Sequence, residues 1–291
     1  MPKRKSNASK RGFKRRRTMG RKGRARGRMY GNKRPKAIQR ATKVPKTAMI
    51  KFVIDKTFVY TAPALPSGQT DPMVTGHIDV SCNNLIQPIN TGVSAGTWTV
   101  QDGNSTDSVE GLQDWVGSSG GRYKKFMVLG SKIDVNAIAS ADTTAATKYV
   151  NNYSIGIHKC TTGGDDVKST TTLPQIQKMP YTRLRNGTGA AVAAATGTTT
   201  QGIRLSDTYS AKKWEGVTNV KDNEKLQSSV SQTAPGYTAP SEGGKFQVFL
   251  ASREPLSNDK QVPGQLVRVK VEYIALLTDP NTDDNDPMIV H

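Results

Sequence analysis

Hydrophobic and polar residues alternate along several short segments of the chain after residue 46. In AMIKFVIDKTFVYTA the side chains of Ile50, Phe52 and Ile54 share one parity, and Phe58 and Tyr60 continue it. A period of two is typical of a β-strand with one buried face. The same alternation recurs in five further segments, where the predicted inward-facing residues are Val74, Ile78, Val80 and Cys82; Phe126, Val128, Ile133 and Val135; Tyr153, Ile155 and Ile157; Phe246, Val248 and Leu250; and Val267, Val269, Val271 and Tyr273.

Two of these segments depart from simple alternation. In RYKKFMVLGSKIDVNAI the inward-facing residues are even-numbered before Gly130 and odd-numbered after it, which predicts a β-bulge at Gly130. In QLVRVKVEYIALLTDP consecutive positions are apolar from Ile274 onward, which predicts an end that is covered on both faces.

The chain has no long segment with helical periodicity. VEGLQDWVG is compatible with one short helical turn that packs Leu112, Trp115 and Val116. The low-complexity stretch RNGTGAAVAAATGTTTQG, with residues 188–201 at its centre, predicts a loop. About eight strands joined by polar loops favour an all-β fold, an eight-stranded antiparallel jelly-roll sandwich.

The excess of positive over negative charge in the chain is confined to its first 46 residues. The 291-residue sequence has a formal net charge of +19, and residues 1–46 hold 20 Lys and Arg with no Asp or Glu. The remaining 22 basic residues are balanced by 23 acidic ones. Because charge repulsion and low hydrophobicity oppose folding of the first segment, we expect residues 1–46 to form a disordered arm and residues 47–291 to form the folded jelly-roll domain.

The composition of the arm points to a nucleic acid. Guanidinium groups bind phosphate through paired hydrogen bonds, and interleaved glycines let the backbone follow an irregular polyanion. Phe13 and Tyr30 could add base stacking. The predicted nucleic-acid-binding residues are Lys3, Arg4, Lys5, Lys10, Arg11, Lys14, Arg15, Arg16, Arg17, Arg21, Lys22, Arg24, Arg26, Arg28, Lys33, Arg34, Lys36 and Arg40.

The basic clusters at residues 3–5 and 10–17 also resemble a nuclear localisation signal, which is compatible with nucleic-acid binding in the same segment. A purely solubilising tail is the third interpretation, but solubility needs no Arg-rich run and acidic residues serve it better.

The sequence offers no catalytic constellation, so we expect a protein that is not an enzyme and that has no cofactor and no metal site. The two cysteines, Cys82 and Cys160, lack the spacing of a metal site, and we expect both to be buried thiols. His77 and His158 lie within strand patterns, where packing is the simpler role. No phosphate-binding loop, dinucleotide fingerprint, GxSxG or HExxH motif is present. No apolar run approaches the ~18 residues of a membrane span, so no membrane insertion is expected.

Several segments resemble, in the same order, those of the capsid proteins of circovirus-like, circular, Rep-encoding single-stranded DNA viruses. They are the Arg-rich arm, HIDVSCNNLIQP, YKKFMVLGSKIDV, DTYSAKKWEG and VRVKVEYIALLTDP. The resemblance implies a jelly roll in a T=1 icosahedral shell of about sixty copies, with arms inside and loops outside. It also implies viral single-stranded DNA, nuclear import receptors and a host attachment factor as partners, with the protein in the virion and, during assembly, in the host nucleus.

Two other classes of protein would also account for a basic arm. A coat protein of a small RNA virus would share both arm and jelly roll, and phosphate contacts do not distinguish ribose from deoxyribose. A ribosomal or chromatin protein would also carry a basic tail, but its folded part would normally be basic as well.

Overall fold

The structure is a computed structural model that describes twelve ranges of the chain. They are residues 45–61, 71–91, 96–101, 103, 108–117, 121–139, 152–161, 165–188, 202–217, 219–230, 237–256 and 262–281. Within these ranges, no helix is long and apolar enough to cross a membrane.

Strands dominate the described chain, and its helices are short. The strands are β1 (Thr47–Thr61), β2 (Val74–Ser81), β3 (Ile89–Asn90), β4 (Thr97–Val100), β5 (Tyr123–Ala139), β6 (Asn152–Thr161), β7 (Thr182–Thr188), β8 (Ile203–Ser210), β9 (Gln227–Val230), β10 (Tyr237–Thr238), β11 (Gly244–Ser252) and β12 (Gln265–Pro280). The helices are α1 (Leu112–Trp115), α2 (Leu173–Lys178) and α3 (Ala211–Trp214), with 3₁₀ turns at Val220–Asp222 and Glu224–Leu226.

The strands form two antiparallel sheets whose order is that of a jelly roll. The first sheet runs β10-β9-β5-β12-β1-β4, with β8 also paired to β5, and the second runs β3-β2-β11-β6-β7. Eight of these strands make the two four-stranded units β1-β12-β5-β8 and β2-β11-β6-β7. The chain enters the second sheet at β2, β6 and β11 and returns to the first at β5, β8 and β12, as in a double Greek key. The predicted jelly-roll fold is therefore confirmed.

The core lies between the two sheets and uses the side chains that the alternation predicted. Phe58 and Tyr60 of β1 are fully buried, as are Ile155 of β6, Val248 of β11 and Val271 of β12. The residues between them along β1 and β12 face outward and include the charged side chains of Lys51, Asp55, Arg268, Lys270 and Glu272. The period of two thus separates the core face from the outer face of each central strand.

The predicted bulge is present in β5. Ile274 of β12 pairs with Gly130, but the next residue, Ala275, pairs with Val128, so Leu129 is the extra residue. Because one residue is inserted, Val128 and Ile133 both face the core although their parities differ. A Cβ at Gly130 would lie 2.9 Å from the carbonyl oxygen of Tyr209, which favours glycine at this close approach of β8.

The prediction that both faces of β12 are covered from Ile274 onward is wrong at its first position. Ile274 is 47% exposed, whereas Ala275, Leu276 and Leu277 are buried. Ile274 lies on the outer face opposite Lys51 of β1, and burial begins only beyond the bulge.

The outer face of the second sheet is covered by residues 165–179, which include α2. Leu173 and Ile176 of α2 pack with Val167, Phe249 and Ala251 in a small second core. Alternation within strands does not predict this layer, but α2 carries a local signal. Gln175, three residues into the helix, accepts a hydrogen bond from the backbone N–H of Thr172 at 2.9 Å, as in a capping box.

Candidate nucleic-acid interface

The eighteen predicted nucleic-acid-binding residues, from Lys3 to Arg40, all lie outside the described residues. The structure does describe the junction that follows them. The Tyr123 hydroxyl donates a hydrogen bond to the carbonyl oxygen of Pro45 at 2.9 Å, and Thr47 pairs with Thr278 of β12. The chain therefore enters the folded body at the start of β1, a strand that lies between β12 and β4 in the first sheet.

The outer face of the first sheet carries a row of exposed ion pairs. Lys51 and Lys270 contact the Glu272 carboxylate at 2.8 and 3.0 Å, and Arg268 binds both carboxylate oxygens of Asp55. Hydrogen bonds from the two lysines, that of Lys51 foremost, lower the pKa of Glu272 to about 2. The hydrogen bond from Arg268 likewise lowers the pKa of Asp55. The charges on this part of the face are nearly balanced.

At the β8 side of the same sheet the balance shifts toward positive charge. A groove of about 680 Å³ lies between β7 of the second sheet and β8 of the first, and we call it the β7–β8 groove. Its charged and polar lining residues are Lys132, Asp134, Arg183, Arg185, Arg204 and Ser206. Four cationic side chains thus face one carboxylate.

Two cations from the second sheet bind the backbone of β8. Arg183 donates to the carbonyl oxygen of Ser206 at 3.0 Å, and Lys159 donates to that of Thr208 at 2.7 Å. The same two side chains contact the buried carboxylate of Asp207 at 3.2 and 3.4 Å. Cationic side chains that occupy the acceptors of an edge strand also block its pairing with another strand.

An aromatic pair lies next to this edge. The rings of Tyr181 and Trp214 pack edge to face with centroids 5.0 Å apart, and the Lys159 ammonium lies 5.2 Å from the Trp214 centroid. Tyr181 is 64% exposed and has a positive φ of 57°. Sequence reasoning missed this group, because its three residues lie on separate elements and share no spacing signal.

The outer face of the second sheet carries a charged cluster that is largely buried, unlike the exposed ion pairs on the outer face of the first sheet. Lys245 contacts Asp79 at 2.9 Å and Asp166 at 3.0 Å. Gln247 donates to the other oxygen of Asp79 at 2.9 Å and accepts from the backbone N–H of Val167 at 2.7 Å. These bonds fasten the covering layer to β11, so the cluster has a structural explanation.

Two of the three histidines and both cysteines lie in the described ranges, and they are packed as the sequence predicted. His77 and His158 are buried in strands, and burial lowers the pKa of both. Cys82 and Cys160 are buried, unbonded thiols; burial raises the pKa of Cys160 to about 12 and that of Cys82 well above its usual value. Within the described ranges, no three His, Cys, Asp or Glu side chains are grouped so as to hold a metal ion.

Comparisons with known proteins give only distant similarity. No family model and no curated protein match the sequence. Among solved structures, the decameric BFDV capsid protein is 6% identical with a TM-score of 0.36, over 79% of this chain and 98% of that chain. Desmodium yellow mottle tymovirus is 12% identical with a TM-score of 0.31, over 80% and 82%. Tobacco necrosis virus is 12% identical with a TM-score of 0.32, over 79% and 97%. At these values the similarity adds nothing to the fold that the strand order establishes.

Proposed function

We propose that this protein is the structural subunit of a small icosahedral capsid and not an enzyme. In this proposal about sixty copies form a T=1 shell around a circular single-stranded DNA genome, as in circovirus-like viruses. The observation that carries the proposal is the separation of charge. Residues 1–46 hold the entire positive excess, and they join a jelly roll whose own charge is near zero.

The separation of charge suits a shell better than a nucleic-acid-binding domain. A body with a large positive charge on every face would repel its own copies. Here the exposed charges of the first sheet are largely paired, as Lys51 with Glu272 and Arg268 with Asp55 illustrate. Copies of such a body can approach one another while their arms bind the genome.

The number of charges fits a small genome. Sixty arms of 20 cationic residues supply on the order of 1,200 positive charges, a large share of the phosphates in a circle of about two kilobases. Binding through counterion release needs charge more than residue order, and each contact contributes about −0.7 to the slope of log K against log salt on single strands.

A coat protein of a small RNA virus is the second candidate, because its jelly roll and basic arm would have the same physical roles. The basic clusters at residues 3–5 and 10–17 favour the DNA virus, since they also fit nuclear import to the site where such genomes replicate.

The test is to express the full chain and examine it by negative-stain microscopy and light scattering. We expect closed particles of uniform size or partial shells, with nucleic acid inside that DNase and RNase typing identifies. Only monomers across salt and pH would contradict the shell, and encapsidation of RNA alone with exclusion of single-stranded DNA would favour the second candidate.

Two arm variants provide the matched comparison. Shuffling residues 1–46 at fixed composition should leave encapsidated nucleic acid nearly unchanged, because phosphate contacts are not sequence-specific. Replacing the Lys and Arg residues of positions 10–28 with Gln should abolish retention. Equal retention by the neutralised variant would refute the packaging role of the arm.

A further inference from the structure

The β7–β8 groove stands out on a body with nearly balanced charge. Its lining holds Lys132, Arg183, Arg185 and Arg204 against the single carboxylate of Asp134. Arg183 is already engaged with Asp207, and Arg204 lies 3.6 Å from Asp134 with 75% of its side chain exposed. The side chain of Arg185 is exposed and has no hydrogen bond or ion pair with any described residue.

The two arginines of β7 are arranged along a line. Arg183 and Arg185 point to the same side of the strand, which places them about 6.6 Å apart along it. This spacing is comparable to that of successive phosphates along one nucleic-acid strand. Leu184, between them, packs on the opposite side against the second core, so the strand is held while its arginines face the groove.

A second, smaller depression adjoins the groove on the outer face of the first sheet. An adjoining depression of about 290 Å³ shares Arg204 and Asp134 with the groove and reaches Arg268 and Lys270 of β12. β12 pairs along its length with β1, the strand that begins directly after the arm. Arg268 and Lys270 in this depression are paired with Asp55 and Glu272, so the excess of positive charge lies in the groove itself.

We propose that the β7–β8 groove is a second nucleic-acid site, which binds the phosphate backbone of a single strand on the folded body. Arg185 and Arg204 hold phosphates through paired hydrogen bonds, and the Ser206 hydroxyl adds a donor. Contacts to phosphate carry no sequence information, so binding through the backbone alone gives the site no sequence preference. This inference rests on the proposed function, in which the arm binds the same strand.

The test uses the full chain with a single-stranded oligonucleotide that carries azidophenacyl photocrosslinkers on phosphorothioate groups of its backbone. After irradiation and proteolysis, mass spectrometry locates the crosslinked peptides. We expect crosslinks in the arm and also in peptides from β7 and β8. In the double variant Arg185→Gln/Arg204→Gln the β7 and β8 crosslinks are lost, the arm crosslinks stay, and the salt slope falls by about 1.4, the value for two contacts.

The matched control removes the same charge elsewhere. Lys178→Gln/Lys213→Gln replaces two exposed lysines outside the groove, so the β7 and β8 crosslinks should persist. The double variant Arg185→Lys/Arg204→Lys keeps both positive charges, so it should keep most of the slope of log K against log salt. Urea unfolding of each variant separates loss of binding from loss of folding.

Each remaining outcome is distinguishable. Crosslinks confined to the arm would overturn the groove site and leave the proposed function standing, whereas no crosslinks anywhere would refute nucleic-acid binding itself. Groove crosslinks that the double variant leaves unchanged would also overturn the inference. So would carbodiimide crosslinks that join Lys132 to a carboxylate of a second copy, because the groove would then hold protein.

Discussion

On the outer face of the first sheet, Lys51 pairs with Glu272 and Arg268 pairs with Asp55, and these ion pairs are exposed to solvent. On the outer face of the second sheet, Lys245 and Asp79 form theirs beneath residues 165–179. The side chain of Lys51 is 55% exposed and that of Lys245 is 14% exposed. The two faces belong to one sandwich and carry the same residue types, but the environments of their charges differ.

The difference shows which face is free for partners. Exposed pairs are weak and screened by salt, so they can exchange for contacts with another copy or with phosphate. Buried pairs cannot be broken without leaving a charge in a poorly solvated site. The first sheet therefore presents an exchangeable surface, whereas the polar groups of the second sheet hold its covering layer in place.

The largest predicted effect comes from removing one member of the buried cluster. Lys245→Met leaves the carboxylates of Asp79 and Asp166 without their cation, and we expect it to lower the free energy of unfolding by about 3–5 kcal/mol. Urea unfolding of dissociated subunits measures this loss in the free energy of unfolding. The control Lys51→Met makes the same change on the exposed face and should cost less than about 1 kcal/mol. Equal losses would show that the two faces do not differ.

A somewhat smaller effect is expected from the apolar part of the covering layer. Ile176→Ala empties a fully buried position in the second core, with an expected loss of about 2–4 kcal/mol. Hydrogen exchange should show faster exchange in residues 165–179 before global unfolding. Ile274→Ala, on the exposed face, should change stability by less than about 0.5 kcal/mol. Unchanged exchange in residues 165–179 of Ile176→Ala would contradict the layer as a separate cooperative unit.

The sequence was most informative where local pattern and tertiary burial agree. Six of the eight jelly-roll strands, the bulge at Gly130 and the short helix at Leu112 follow from side chains that are close in sequence, because alternation reports which face each strand buries. Alternation did not identify β7 and β8, and β7 extends into the stretch that was predicted as a loop. The packed roles of Cys82 and His158 followed from the same patterns.

Features that depend on separate elements could not be predicted. The covering layer joins Asp166 to Lys245, and the β7–β8 groove joins Arg185 to Arg204, across gaps that no periodicity spans. Ile274 was misassigned because an apolar residue does not reveal whether another element covers it. The arm was inferred from charge alone, and its binding role stays a prediction.

The smallest predicted effect is a difference in the pH at which each face loses stability. His77 lies on the second sheet near Asp79, Lys245 and Asp166, and its buried Nδ1 has no hydrogen-bond partner among the described residues. Burial lowers its pKa below the ordinary 6.5. The unfolded chain therefore binds a proton more readily, and stability falls as pH drops below 6.5. The lowered pKa of Glu272 acts in the same direction at lower pH, because its contribution is fully present above its ordinary pKa of 4.5 and is lost only as pH falls toward 2.

We expect His77 to affect stability at a higher pH than Glu272. This is tested by measuring urea unfolding midpoints between pH 7.5 and 2.5 for the parent, His77→Gln and Glu272→Gln. The stability lost between pH 7 and 5 should be smaller in His77→Gln than in the parent. Both proteins should still lose some stability in this range, because burial also lowers the pKa of His158. Glu272→Gln should parallel the parent above pH 5 and converge with it at lower pH, with a difference of less than about 1 kcal/mol because the pair is exposed. Parallel curves for the parent and His77→Gln from pH 7 to 5 would show that the covering layer does not keep His77 from protonating, and the two faces would then differ in burial but not in acid sensitivity.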